Sequence, residues 1–360
     1  MKTPLTPHEL ERYQRHLQLP GFGVEQQLRL KQVRVLLIGA GGLGCPIGLY
    51  LAAAGVGTLG IVDDDTVSLH NLQRQIAYQT IHIGKSKASK LAEMLKALNP
   101  EIESIAYPTR LQPDNIEALF SGYDVIIDGT DTFESRFLIA DACYLLKKPL
   151  VHGAVYQFGG QVSVFEQSPC YRCLFQAPSA SQNCSEAGVL GVLPGTIGLI
   201  MATETLKYIT GIGEPLTGQV LFYDALTQEM KKIKLLPDPQ CPLCGETPNI
   251  TTFDTGKENL EVSIQEAQNM LEQGAQLLDV REPFEYAMGN ILNAPLIPLG
   301  LLSEDTVPAA DTLIVYCRSG KRSLEATQKL RAWGHPNVFS MAGGIEAWLK
   351  ESAPSQHTAV

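Results

Sequence analysis

Between Val33 and Asp63 the chain reads strand, glycine-rich turn, helix, strand and acid, an order that leaves few folds open. Val33-Arg34-Val35-Leu36-Leu37-Ile38 is almost unbroken in its apolar character, as a strand buried on both faces requires. Gly39-Ala40-Gly41-Gly42-Leu43-Gly44 follows, then a helical pattern over Leu43 to Ala54 and a second strand, Leu59 to Val62. The four glycines, Gly39, Gly41, Gly42 and Gly44, permit a tight turn and bring backbone N–H groups against phosphate at a helix N-terminus. Asp63, about twenty residues past the turn, suits a ribose hydroxyl pair. A third strand, Asp124–Asp128, ends at the polar tip Gly129-Thr130-Asp131-Thr132. Strands alternating with helices predict an α/β fold: a Rossmann-like doubly wound sheet with ligands at the carboxyl ends of its strands.

A chain of 360 residues exceeds what one hydrophobic core usually supports, so two domains are expected. The polar stretch after Gly245 marks the junction: residues 1–248 form the first domain, 249–259 a linker, 260–352 a smaller α/β domain and 353–360 a tail. In the second domain, strands are expected at Gln276–Val280 and Thr312–Tyr316, with a helix at Ser323–Trp333. In the first, a helix over Ile197–Ile209 should be closed by Gly211. A net charge of −10 argues against nucleic-acid binding. Met1–Pro7 lacks the apolar core of a signal peptide, and glycines break the apolar stretch Val33–Val62, so a cytoplasmic protein with no membrane role is expected.

A nicotinamide cofactor is the default for such a glycine loop. Asp63-Asp64-Asp65, however, is followed by His70-Asn71-Leu72-Gln73-Arg74-Gln75 and then Lys85 and Lys87. Hydride transfer has no use for these cations, whereas a triphosphate does, because charge builds on departing pyrophosphate. Asp131, at a strand tip beside Thr132, is placed to hold Mg2+.

Arg12-Tyr13-Gln14-Arg15, the glycine loop, Val62–Gln75 and Asp128-Gly129-Thr130-Asp131 together resemble the MoeB/ThiF family, prokaryotic relatives of ubiquitin-activating enzymes, over about Leu5 to Cys244. The resemblance implies ATP-dependent adenylylation of the C-terminal Gly-Gly carboxylate of a ubiquitin-like sulfur carrier protein. It implies that Gly42 and Asp63 hold the nucleotide, that Asn71, Arg74 and Lys87 contact phosphates, and that Asp131 holds the metal. Asp65 and Thr132 are counted in the same nucleotide site. Arg15 resembles an arginine that reaches into the partner subunit's site, which implies a homodimer. His70 stands where the family pattern has serine.

Cys170-x-x-Cys173 and Cys241-x-x-Cys244 can each supply two corners of a tetrahedral Zn2+ site from one tight turn. The stretch between the pairs is far longer than a zinc ribbon, so the metal's expected task is to pin the end of the domain onto its middle. Cys184, in a polar glycine-flanked segment, resembles the cysteine that attacks the activated carrier or resolves an acyl persulfide in some members.

Ile314-Val315-Tyr316 runs into Cys317-Arg318-Ser319-Gly320-Lys321-Arg322-Ser323, where a helix begins. A thiol there faces backbone N–H groups, a helix N-terminus and three cations, all of which favour thiolate. A phosphatase cradle has one more residue between cysteine and arginine than the four, Arg318–Lys321, found here, so the loop suits sulfur. Leu278–Tyr286 and Ala342–Trp348 resemble the flanks of the rhodanese family over about Leu260 to Lys350, with Asn290 where histidine is common.

The expected activity is adenylylation followed by sulfur transfer from a Cys317 persulfide to give a thiocarboxylate, with ATP, Mg2+ and Zn2+ as cofactors. Thiosulfate or a cysteine desulfurase would donate the sulfur, and molybdopterin, thiamine, cysteine and tRNA-thiolation routes all stay open. The alternatives are a nicotinamide oxidoreductase fused to a rhodanese and a tRNA-modifying relative of the same superfamily.

Overall fold

The structure, a computed structural model, describes residues 4–175, 188–252, 260–308 and 310–351. The chain divides into two compact units, Met1–Thr255 and Gly256–Val360.

In the first unit, β1 (Arg34–Ile38), β2 (Thr58–Val62), β3 (Glu103–Tyr107), β4 (Val125–Asp128), β5 (Leu150–Tyr156), β6 (Gly159–Phe165), β7 (Gln219–Asp224) and β8 (Glu229–Lys234) form one sheet. Its order is β3-β2-β1-β4-β5-β6-β7-β8, parallel through β5 and antiparallel beyond. Strand order reverses between β1 and β4, the switch point at which open α/β sheets bind ligands.

The two-residue period of a strand sends alternate side chains of β1 into two cores. Val35 and Leu37 join Ile47, Leu51, Leu91 and Ile197 from the helices Gly44–Ala54, Lys87–Leu98 and Leu193–Thr210. Leu36 and Ile38 join Ile116, Phe120 and Phe137 from the helices Pro113–Ser121 and Phe133–Leu145. Each such side chain taken from water stabilises the fold by about 1.5–3 kcal/mol before entropy is counted. Gly211, in the left-handed region at φ +73°, ends the long helix as expected. At the far edge β8 is exposed along its whole length and carries Lys231, Lys232 and Lys234, which blunt it against further pairing.

The second unit is a parallel sheet of β9 (Glu261–Val262), β10 (Gln276–Asp279), β11 (Leu313–Tyr316) and β12 (Val338–Met341), in the order β10-β11-β12-β9. Its alternation places Ile314 and Tyr316 in one core and Leu313, Val315 and Cys317 in the other. Cys317 therefore points to the face covered by the helix Lys321–Ala332, which packs on β11 and β12. No helix among the described residues is long and apolar enough to cross a membrane.

Candidate functional site

The glycine loop is shaped by close approach of backbone. Gly39 sits at φ +90°, where a Cβ would lie 2.8 Å from the Gly129 carbonyl, and a Cβ on Gly44 would lie 2.0 Å from the Gly39 carbonyl. Only glycine fits either place. Asp63 fixes the same turn from the end of β2: its carboxylate accepts from Ala40 N at 2.7 Å and from Asp65 N at 2.9 Å. Burial pushes the Asp63 carboxyl above its ordinary value, against the pull of those two N–H groups. Above the turn opens a cleft of about 590 Å3, lined by Gly39, Gly41, Gly42, Asp63, Asp65, Arg74, Lys87, Asp131 and Thr132 from the expected set.

Lys87 opens the helix Lys87–Leu98 and is 5% exposed, its Nζ 2.8 Å from the outer carboxylate Asp65. A cation at a helix N-terminus opposes the macrodipole, so this position disfavours lysine unless anions meet it. Arg74 donates to the His70 carbonyl at 3.1 Å, which holds its guanidinium along the cleft wall. Asn71 differs. It is 4% exposed and caps its own 3-10 turn by accepting from Ser68 N at 3.1 Å, which engages Oδ1 and leaves the amide Nδ2 to donate. Thr132 caps the helix Phe133–Leu145, accepting from Ser135 N. Asp131 is exposed on the cleft wall with no hydrogen-bond partner among the described residues. Arg15 lies exposed on the short helix Gln14–Leu17, outside this chain's own cleft.

Sequence reasoning missed Arg136, Arg110 and the role of Gln75 in this wall. Arg136 is 4% exposed and clamps the Thr130 carbonyl with Nε and Nη2 at 3.2 and 2.9 Å. Its position one turn into a helix that follows a strand tip was a usable signal. Gln75 is 4% exposed, and its Oε1 has no hydrogen-bond partner among the described residues. Behind the tip, Asp128 accepts from Thr130 N and Oγ1 at 2.9 and 2.6 Å and from His152 Nδ1 at 2.9 Å. Burial opposes ionisation of Asp128, yet the bonds from His152 and Thr130 hold its carboxyl below the usual value. Burial also keeps His152 below its usual value, so a neutral imidazole donates to a carboxylate.

The four paired cysteines converge. Their Sγ atoms all lie within 4.8 Å of one another, with Cys173 and Cys244 at 3.3 Å and Cys170 and Cys241 at 3.5 Å. Ligands about 2.3 Å from a tetrahedral Zn2+ stand at comparable separations. Backbone N–H groups of Asp238 and Cys244 donate to Cys173 and Cys241 sulfur at 3.4 and 3.5 Å, bonds that steady a thiolate's charge and orient its lone pairs. The donor set and spacing fit a closed structural zinc centre. Cys184 lies outside the described residues.

Cys317 ends β11 and is 1% exposed, with the Gly320 N–H donating to its Sγ at 3.2 Å. The expected cations are present, but two are already engaged. Arg322 makes a two-pronged pair with Glu285, both contacts at 2.7 Å, and Arg318 pairs with Glu346 at 2.7 Å. The Arg322 guanidinium holds the Glu285 carboxyl down to about 2. Lys321 has no ion-pair partner among the described residues, so the loop presents less free positive charge than its sequence suggests. Asn290 closes a local turn, accepting from Asn293 N at 3.0 Å.

Comparison with known proteins agrees with this division of labour. Residues 13–243 match the ThiF family and residues 263–351 the rhodanese-like domain. The adenylyltransferase and sulfurtransferase MOCS3-1 of Zea mays is 39% identical, the match covering 95% of this chain and 82% of that one. The probable adenylyltransferase/sulfurtransferase MoeZ of Mycobacterium tuberculosis is 41% identical over 97% and 95%. The sulfur carrier protein adenylyltransferase of Thermus thermophilus is 48% identical over 68% of this chain and 93% of its own. Among solved structures, E. coli MccB superposes with a TM-score of 0.59 at 19% identity, over 66% of this chain and 74% of that one, a likeness of fold. With one family spanning the nucleotide cleft and the other the Cys317 loop, the chain belongs to the ThiF family and carries a rhodanese-like domain.

Proposed function

We propose that this protein uses ATP to adenylylate the C-terminal Gly-Gly carboxylate of a ubiquitin-like sulfur carrier and then transfers sulfur to it from Cys317. The observation that carries the reading is Lys87, buried at a helix N-terminus beside Arg74 and Arg136 in a cleft over the glycine loop. Asp63, Asp64, Asp65 and Asp131 line the same cleft and balance these cations, but Asp65, the partner of Lys87, has a side chain 72% exposed, so the lysine can turn to a polyphosphate, whose developing charge such donors stabilise. Relatives named adenylyltransferase and sulfurtransferase, matched along nearly the whole chain, support both halves.

In this reading, the glycine loop N–H groups cradle phosphate and Asp63 takes the ribose. Arg74 and Lys87 neutralise charge on the pyrophosphate as the carrier carboxylate attacks the α-phosphorus and pyrophosphate leaves. Asp131, an unengaged carboxylate, would hold Mg2+, which supplies charge neutralisation at the phosphates. Asn71, whose backbone carbonyl accepts from Arg74 N at 3.1 Å, contacts the phosphates beside it. Arg15 serves the cleft of a second copy, which makes the working unit a homodimer. The terminal sulfur of a Cys317 persulfide, loaded by thiosulfate or a cysteine desulfurase, then attacks the acyl carbon and AMP departs. A second thiol, Cys184 or an external one, attacks the Cys317 sulfur and releases the thiocarboxylate. Thiols that must stay reduced, in the four-cysteine cluster and at Cys317, suit the cytoplasm.

The test is pyrophosphate–ATP exchange with purified Gly-Gly-ended carriers. Exchange that depends on the intact carrier tail is expected. Tight nicotinamide binding without exchange by any carrier would end the reading.

The zinc assignment gives its own expected result. The Cys241–Cys244 turn packs with Leu243, Tyr144, Leu145 and Ile250, so releasing the metal frees the end of the first unit. Prolonged chelation should remove one zinc per chain and lower the Tm of that unit by about 10 °C, the scale of a 3–5 kcal/mol loss in a domain this size. Calorimetry with parallel metal analysis checks this. A metal-free protein with an unchanged Tm would contradict it.

A further inference from the structure

Cys317 stands at the end of a short chain of buried hydroxyls. Ser340, on β12, donates to Ser323 Oγ at 2.9 Å. Ser323, in the first turn of the helix Lys321–Ala332, places that Oγ 2.9 Å from the Gly320 carbonyl and 3.6 Å from Cys317 Sγ. Both serines are 0% exposed, against a core otherwise built from Leu278, Val280, Leu330 and Val338. Two hydroxyls in such a place are expensive to desolvate and need a reason.

A hydroxyl has one proton to give. With Ser340 on one of its lone pairs, Ser323 chooses between two acceptors. The Gly320 carbonyl does not depend on it, because the Leu324 N–H already donates there at 3.0 Å. Cys317 sulfur accepts weakly as a thiol and strongly as an anion, since charge-assisted bonds are roughly twice as strong as neutral ones. We propose that Ser323 is a positioning residue for the sulfur chemistry: its proton rests on Gly320 while Cys317 is neutral and turns to Cys317 Sγ when that sulfur becomes an anion, with Ser340 holding it in place. The anion then has two donors, the Gly320 N–H and the Ser323 hydroxyl.

Of the charged groups around the loop, Arg322, paired with Glu285 and near Glu282, faces Cys317; Arg318 is paired with Glu346, Lys321 begins the helix, and the Asp279–Arg281 pair at the end of β10 lies against Tyr316. The serine variants leave all of these in place. A hydrogen bond to a charged group contributes enough to move a titration midpoint by about one pH unit.

The experiment follows alkylation of Cys317 by iodoacetamide against pH in the full chain, read by mass spectrometry of the Cys317 peptide. S323A should shift the midpoint up by about one pH unit, S323T should restore it, and S340A should shift it the same way by less. Superimposed S323A and wild-type profiles would overturn the proposal. If S323A does not fold, S340A decides, and an unmoved midpoint overturns it. The inference rests on Cys317 as the sulfur-bearing residue. Sulfurtransfer that survives C317S would remove that foundation, whereas unmoved alkylation profiles remove only the part assigned to Ser323.

Discussion

C317S should abolish sulfurtransfer from thiosulfate or a persulfide donor, by at least about three orders of magnitude, because the oxygen nucleophile cannot carry the sulfur. The substitution exchanges sulfur for a slightly smaller oxygen at a position 1% exposed, so the fold and Tm should hold. Carrier-dependent pyrophosphate exchange should also persist, because the nucleotide cleft is formed by residues of the other unit. Cyanolysis of the donor measures the first activity and labelled pyrophosphate the second. Loss of both in a folded C317S protein would contradict a division of the chemistry between two units.

K87A is expected to lower pyrophosphate exchange by about 10²–10³-fold, the usual cost of removing one preorganised donor from developing charge. Stability should scarcely change. The lost partner, Asp65, has a side chain 72% exposed and is solvated without its lysine. Removing a cation from a helix N-terminus meanwhile helps the helix by about 0.3–1 kcal/mol. A K87A protein that exchanges within threefold of wild type at saturating ATP would show that Lys87 faces nothing anionic in the reaction. R74A should fall in the same direction by less, since Arg136 and Arg110 line the same wall.

What could be read in the chain beforehand follows from how local each signal was. The glycine loop, β1, β2, β4 and Asp63 were legible because sterics and period alone dictate them. The Gly39 and Gly44 positions tolerate no Cβ, and β1 has no polar face. Cys317 was legible as the residue at a strand–loop–helix junction. The antiparallel half of the sheet was harder to see. β8 reads Glu-Met-Lys-Lys-Ile-Lys, and its two exposed faces leave no apolar alternation to find. Asn71 is expected at the phosphates beside Arg74, and the 3-10 turn that it caps through Oδ1, accepting from Ser68 N, could not be read from the sequence. The pairing of Arg322 with Glu285 and of Arg318 with Glu346 brings together residues far apart in the chain, and no run of sequence announces it. Arg136 was overlooked because a helical arginine ordinarily faces water. Here the Thr130 carbonyl turns it inward.

The knuckle that unites Cys170 and Cys173 with Cys241 and Cys244 also constrains the order of events at the ribosome. The last two thiols emerge after β8, so the four-cysteine cluster cannot close on a metal ion until nearly the whole first unit has been synthesised. With domains folding as units at about 5–20 residues per second of elongation, a metal held by these four thiols would have to be supplied, and the thiols kept reduced, at that moment, before translation of the sulfurtransferase half is complete.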